Sequence, residues 1–290
     1  MSPTKSTRKK KPAKGPRTRR RRTSAWAVAG LAPVALGLAA GGGTSPPGGG
    51  ASASAVYAAF APTGNYIKAT DSIPRLSLAN PEESIPDGWD RPRPNRITYN
   101  GCGPFGGPKP DSGTNVRKNR TDLPREYHTV TFEALSSLEW PRGAKPRRDG
   151  WTRAQLDSIV PYEGIAVTVT GFVKALRPQA GSGESPNCGE TDEASTDWHI
   201  ALVGDFGDPE SKAMVVETTP RIKQYHPNWA PAALKSVVDK PDSVRVSGYL
   251  LLDPVHKGHL GKYRQTLWEV HPIHRIEVFR QGQWIDLDSP

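Results

Sequence analysis

The sequence predicts a mainly β domain with short helices: a small five-stranded barrel preceded by irregular chain and two short helices, behind a disordered N-terminus. Three observations carry this. From Gly164 onward apolar residues alternate with small or polar ones at period two, as in Ile165–Val173 and Val244–Leu252. The elements expected there run in the order β-β-β-α-β-β. Before them, Pro, Gly and charged residues interrupt every period except in two short helical stretches.

The chain has 290 residues and a formal charge of +10, unevenly placed. Residues 1–22 hold eleven Lys/Arg and no acid, whereas residues 161–290 hold thirteen basic and seventeen acidic side chains. A duplex binder carries its basic patch on the folded domain. Here the excess sits in a tail, which argues against nucleic acid as the partner of the folded part.

Residues 1–22 read as a basic disordered tail, and 23–43 as an apolar signal or anchor segment. Ala25–Ala40 is free of charge and follows the basic block, the order of an export signal, with A-x-A cleavage sites at 51–53 and 53–55. The competing reading is a retained transmembrane anchor. That wants ~20 apolar residues, and Pro33 and the Ala-rich composition weaken it. Both readings keep the basic block cytoplasmic, make the membrane or export machinery its partner, and put the folded domain outside the cytoplasm. Residues 44–67 form a Gly/Pro/Ala-rich linker.

Residues 68–160 read as an irregular wrapping segment with two short helices. Thr131–Leu138 places Phe132, Leu135 and Leu138 on one side, and Pro141 closes it. Thr152–Val160 opens with Thr152 three residues before Gln155, a capping-box spacing, and stops at Pro161. The Gly-rich run 101–107 lacks the preceding strand and following helix that a phosphate-cradling loop needs. Cys102 and Cys188 are the two cysteines, and an oxidising compartment would allow them to pair. Two unrelated thiols are the alternative.

Residues 161–290 hold the barrel. Its strands are expected at Ile165–Val173, Trp198–Val203, Ala213–Glu217, Val244–Leu252 and Thr266–Val278, with a helix at Pro231–Val238 and a short extra strand near Trp284-Ile285. This order is similar to the OB-fold, a five-stranded Greek-key barrel. The runs V-T-V-T-G-F-V (167–173) and V-R-V-S-G-Y-L (244–250) are OB-like. Asp197-Trp198-His199 and Thr266–Pro272 (T-L-W-E-V-H-P) resemble motifs of uncharacterised bacterial exported proteins. That resemblance carries no activity with it. A β-sandwich is the second choice of fold.

Residues two apart on a strand share a face, so Asp197 pairs with His199 and Glu269 with His271 as candidate ligand-binding residues. Six of the seven histidines lie in residues 161–290. No H-E-x-x-H or C-x-x-C is present, so no metal set is legible, and no cofactor is either. His274, three residues from His271, belongs on the opposite face. Trp198 and Trp268 read as core. Glu269 is the residue hardest to explain as core, since a buried carboxylate needs a partner. His271 is the expected one, because Arg264 falls on the other face of a straight strand. The loop acids Glu184, Glu190, Asp192 and Glu193 read as solvated.

The leading expectation is an exported or membrane-tethered OB-like binding or interaction module of unknown ligand. The first alternative is a metal-dependent, nuclease-like hydrolase with an Asp/Glu/His site on the barrel. The second is a single-stranded nucleic-acid binder, for which the expected second strand offers Trp198 and the third no aromatic residue.

Overall fold

The computed structural model describes residues 98–111 and 114–289. The basic tail, the signal or anchor segment, the linker and the start of the irregular segment lie outside the described residues. Among the described residues no helix is long and apolar enough to cross a membrane.

Five strands close into a barrel: β2 (Ala166–Pro178), β3 (Trp198–Val203), β4 (Met214–Glu217), β5 (Ser243–Leu252) and β6 (Trp268–Arg280). Their order around the barrel is β2-β3-β4-β6-β5, and pairing of β5 with β2 completes the circle. All neighbours are antiparallel except β4 and β6, which run parallel. This is OB-like connectivity.

Closure depends on β2, which serves two neighbours in succession. Residues 166–172 pair with β5 and residues 172–178 with β3, so the strand must bend from one side of the barrel to the other. Gly171 sits at this handover, where a Cβ would lie 2.5 Å from the Val203 carbonyl oxygen. Only a residue without a side chain admits so close a backbone approach. A register shift between Val173 and Ala175 completes the bend.

The alternation read in the sequence sorts each strand into two faces. Val167 and Val169 of β2, Trp198 and Ile200 of β3, and Trp268 and Val270 of β6 are buried in the barrel core. Both tryptophans also place their indole nitrogens: Trp198 donates to Glu193 O at 2.7 Å and Trp268 to Glu139 O at 3.0 Å. The residues between them, including His199, Glu269 and His271, therefore belong to the outer face.

Short helices cover the barrel. In α2 (Phe132–Ser136) Thr131 accepts from the Ala134 amide, and Phe132 and Leu135 are buried. In α3 (Arg153–Ile159) Thr152 and Gln155 form the capping box expected from their spacing. Its buried anchor is Ile159; Val160 is only half-buried. Between β4 and β5 lie α4 (Pro220–Lys223) and α5 (Pro231–Lys235), with Leu234 and Val237 in the core. Strand β7 (Gln283–Asp286) pairs with the end of β6.

The chain before the barrel packs across the outer surface of the barrel. It contains α1 (Asn115–Lys118) and β1 (His128–Thr129), the latter pairing in parallel with β2. Neither has a sequence signature, because each is too short to show a period. Cys102 and Cys188 are disulfide-bonded with Cα atoms 5.6 Å apart, tying this chain to the β2–β3 loop. Asn115 extends the tie, donating to Ser185 Oγ at 2.5 Å and to Phe105 O at 2.8 Å.

Two stability predictions follow from this packing. The bond closes a separation of 86 residues; on chain-entropy grounds a loop that long stabilises by about 4.6 kcal/mol. The double variant Cys102→Ser/Cys188→Ser should lower the urea midpoint accordingly, and an unchanged midpoint would contradict the role assigned to the bond. His274 is buried, hydrogen-bonded through Nδ1 to the Tyr127 hydroxyl at 2.9 Å and packed edge-on against Tyr249. Burial, then Arg120 and His226, hold its pKa well below 6.5. The unfolded chain then binds the extra proton, so the contribution is intact above about pH 6.5 and falls by about 1.4 kcal/mol per pH unit below it. His274→Asn should show a shallower loss of stability between pH 6.5 and 5 than the wild type.

Candidate functional site

The outer face of β3, β4 and β6 carries acids and histidines where a solvated sheet would carry neutral polar residues. Register brings them together. His199 on β3 lies opposite Glu217 on β4, and Val215 lies opposite Glu269 on β6, so Glu217 and His271 are the next residues along that face. Asp197 stands just before β3, two residues from His199. Three segments close over the face: α1 with Lys118, the β2–β3 loop with Glu184, and the β5–β6 connection with Asp253, His256 and Arg264.

The result is a buried charge cluster. Asp197, Glu217, Glu269 and His271 have side chains at most 1% exposed, whereas His199, His256 and Glu184 retain 16%, 18% and 28%. Two carboxylates have dedicated cations: Lys118 Nζ donates to Asp253 Oδ2 at 2.5 Å, and Arg264 Nη1 to Glu269 Oε1 at 2.7 Å. Around the remaining acids the cations are imidazoles. His271 Nδ1 is 2.7 Å from Glu217 Oε2 and 3.7 Å from Glu269 Oε2. His199 Nε2 is 3.4 Å from Glu184 Oε2, 3.5 Å from Glu217 Oε1 and 3.8 Å from Asp197 Oδ2.

These atoms are close, yet they are not aligned as hydrogen bonds. Both carboxylate oxygens of Asp197 and of Glu217, Glu269 Oε2, His199 Nε2 and both ring nitrogens of His271 are buried without a hydrogen bond. Each such atom costs about 1–3 kcal/mol, and more where the group is charged. So many together in one place are the signature of groups aimed at a common point instead of at each other. The ligand atoms fall into three triplets, each within 4.8 Å: Glu184/Asp197/His199, Asp197/Glu217/His271 and Glu217/His256/Glu269.

Electrostatics follow from the same geometry. Burial raises the Asp197 carboxyl to about 8, with Glu217 adding to the rise. For His199 and His271 burial works downward, but the Glu217 charge overrides it and holds them at about 10 and about 9. Glu217 is depressed well below the usual carboxylate range: burial opposes this, and His199, His271 and Lys118 outweigh burial. Lys118 is raised well above its ordinary value against burial by Asp253, Glu217 and Glu269. Without a ligand, protons on the two imidazoles supply the positive charge that the acids require.

The four residues singled out in the sequence, Asp197, His199, Glu269 and His271, all come together here. Their pairing differs from the expectation. Glu269 is hydrogen-bonded to Arg264 at 2.7 Å, and His271 is its more distant partner at 3.7 Å. Strand β6 starts at Trp268, so Arg264 lies in the preceding loop, where chain reversal frees it from strand alternation. Glu184 was expected to be solvated but lies against His199 under the covering chain. His274 is on the far side of β6, against Tyr127 and Tyr249. Sequence reasoning missed Glu217, Asp253 and Lys118. Glu217 and Asp253 each end an apolar strand run, a detectable signal; Lys118 has none, coming from a four-residue helix in irregular chain.

The donor set is imidazole and carboxylate, with both cysteines in the disulfide and no thiolate among the described residues. That composition suits first-row divalent ions such as Zn2+ or Mn2+ more than Mg2+ or Ca2+, which prefer all-oxygen shells. A buried cluster held together by protonated histidines also makes a prediction of its own. In metal-free Glu217→Gln the two imidazoles lose their chief opposing charge, so their pKa values should fall by at least one unit from about 10 and about 9. Histidine side-chain NMR titration measures this; unshifted values would mean that Glu217 is not the organising charge.

No family model matches this chain, and neither a curated protein nor a solved structure matches it.

Proposed function

We propose that this is an extracytoplasmic OB-like module that binds a divalent transition-metal ion on its covered face, with Asp197, Glu217 and His271 as the central ligands. The observation that carries the reading is the convergence on one place of buried ligand atoms that make no hydrogen bond. A cluster of acids alone would not support it. Buried carboxylates and imidazoles left without hydrogen bonds do, because a cation satisfies all of them at once.

The position on the fold agrees. OB-folds bind ligands on the face of their second and third strands, between the loop after the first strand and the loop before the last. Here those parts are β3 and β4, the loop with Glu184 and Cys188, and the connection with Asp253, His256 and Arg264. Export is supported by the basic-then-apolar order of residues 1–43 and by the Cys102–Cys188 bond, which favours an oxidising compartment. Cell fractionation tests it: a full-length, purely cytosolic product would remove this part of the reading.

A metal-dependent hydrolase is the second reading, favoured by one feature. The site is open on one side, at His199 and His256, and a catalytic ion keeps a position free for substrate or water. From that side a row of rings leads outward, His256 stacked on His259 at 5.3 Å and His259 edge-on to the exposed Tyr263 at 5.6 Å. Lys257 and Lys262 flank the row and are exposed. This side suits an anionic ligand.

Metal uptake has to displace the protons held by His199 and His271, so affinity should rise with pH up to about 10. Isothermal titration of chelator-treated protein with Zn2+ or Mn2+, in buffers of different ionisation enthalpy, should show proton release. At a hundredfold excess over Kd the bound ion should add about 2.7 kcal/mol of stability. Absence of any heat or any rise in Tm at millimolar metal would refute the proposal.

A further inference from the structure

The central carboxylate of this site faces two ways. Glu217 Oε1 lies 3.5 Å from His199 Nε2, on the side of Asp197 and Glu184. Glu217 Oε2 lies 2.7 Å from His271 Nδ1, on the side of Glu269. Neither oxygen is hydrogen-bonded, and the carboxylate is buried. A carboxylate that serves one ion directs one oxygen, or both, at a single point. One whose two oxygens face separate imidazoles, each with its own further acid, has the arrangement of a bridge.

We propose that the centre holds two divalent ions bridged by Glu217. One ion is taken by His199, Asp197 and Glu184 with Glu217 Oε1, and the other by His271 and Glu269 Oε2 with Glu217 Oε2. This rests on the metal-binding reading above and deepens it. Each set offers at least one imidazole and two carboxylates, a workable shell for Zn2+ or Mn2+. Bridged ions of this kind stand about 3.5–4 Å apart, within the reach of one carboxylate.

Two further observations agree. The ligand atoms group into overlapping triplets and not into one compact shell, with Glu217 shared by two of them and Asp197 also by two. Charge points the same way. Among the described residues, Glu184, Asp197, Glu217, Asp253 and Glu269 have only Lys118 and Arg264 as permanently charged ion-pair partners within 4.0 Å. With the carboxylates ionised and the histidines neutral, as ligation requires, three negative charges remain. One divalent ion leaves the buried cluster anionic. Two leave a single positive excess beside the open side at His199 and His256, which an anionic ligand such as a phosphate ester would meet.

A ligand that belongs to the His199 ion alone permits a clean test. Glu184 sits on the β2–β3 loop, is partly exposed and belongs to one set only, so Glu184→Gln should fold as the wild type does. The full-length chain is stripped with chelator, reloaded with Mn2+ or Zn2+, desalted, and its metal counted by mass spectrometry. The Mn2+ form is then examined by electron paramagnetic resonance. Two equivalents per chain with an exchange-coupled manganese signal are expected, falling to one uncoupled equivalent in Glu184→Gln. Glu217→Gln should abolish the coupled signal. A single equivalent in the wild type overturns the bridge and leaves the metal-binding reading standing. Two equivalents without coupling overturn it as well, since the sites are then independent. No bound metal overturns both.

Discussion

The buried carboxylate of Glu217, held between two imidazoles, is the constraint on which the surrounding structure depends. A charge removed from water to this extent persists only when opposite charge is brought to it. Strand register supplies His199 from β3 and His271 from β6, and the covering chain supplies Lys118. The outer face of the barrel is therefore not a solvated surface. It is the floor of a polar interior, roofed by segments that would otherwise have no reason to pack there.

That roof explains the long irregular segment ahead of the barrel. Its first part, residues 98–111 and 114–126, puts no side chain into the apolar core, so its attachment is polar and covalent: the Cys102–Cys188 bond, the Asn115 hydrogen bonds, and the Lys118–Asp253 pair. Arg148 acts similarly at the barrel's edge, bonded to Glu163 and to the Leu252 carbonyl. Ion pairs in such positions contribute less to stability than to specifying one arrangement, since desolvation offsets most of their attraction. They hold Glu184, Asp253 and His256 over the floor, and so decide which side of the cluster stays open.

Much of the fold was legible because barrel strands write their geometry at period two. Trp198, Ile200 and Leu202 declare one face, and Asp197 and His199 must then share the other; Gly171 marks the bend that closes the barrel. The capping box at Thr152 and Gln155 was equally local. Four members of the candidate site could be picked out, because a carboxylate and a histidine two apart on an otherwise apolar strand are conspicuous. Their partners could not. Glu217 looked like a strand end, Glu184 like a solvated loop acid, and Arg264 was set aside by extending a strand that in fact begins four residues later.

Alternation and local spacing are properties of neighbouring residues, so the sequence alone determined the strands and their inward faces. What lies opposite a given side chain depends on register between strands distant in sequence and on where irregular chain folds back. Only the tertiary structure decided that His199 and His271 meet at Glu217, that Glu269 belongs to Arg264, and that a four-residue helix places Lys118 among them. Long-range charge pairing is a property of closure, and closure is not written in any one segment.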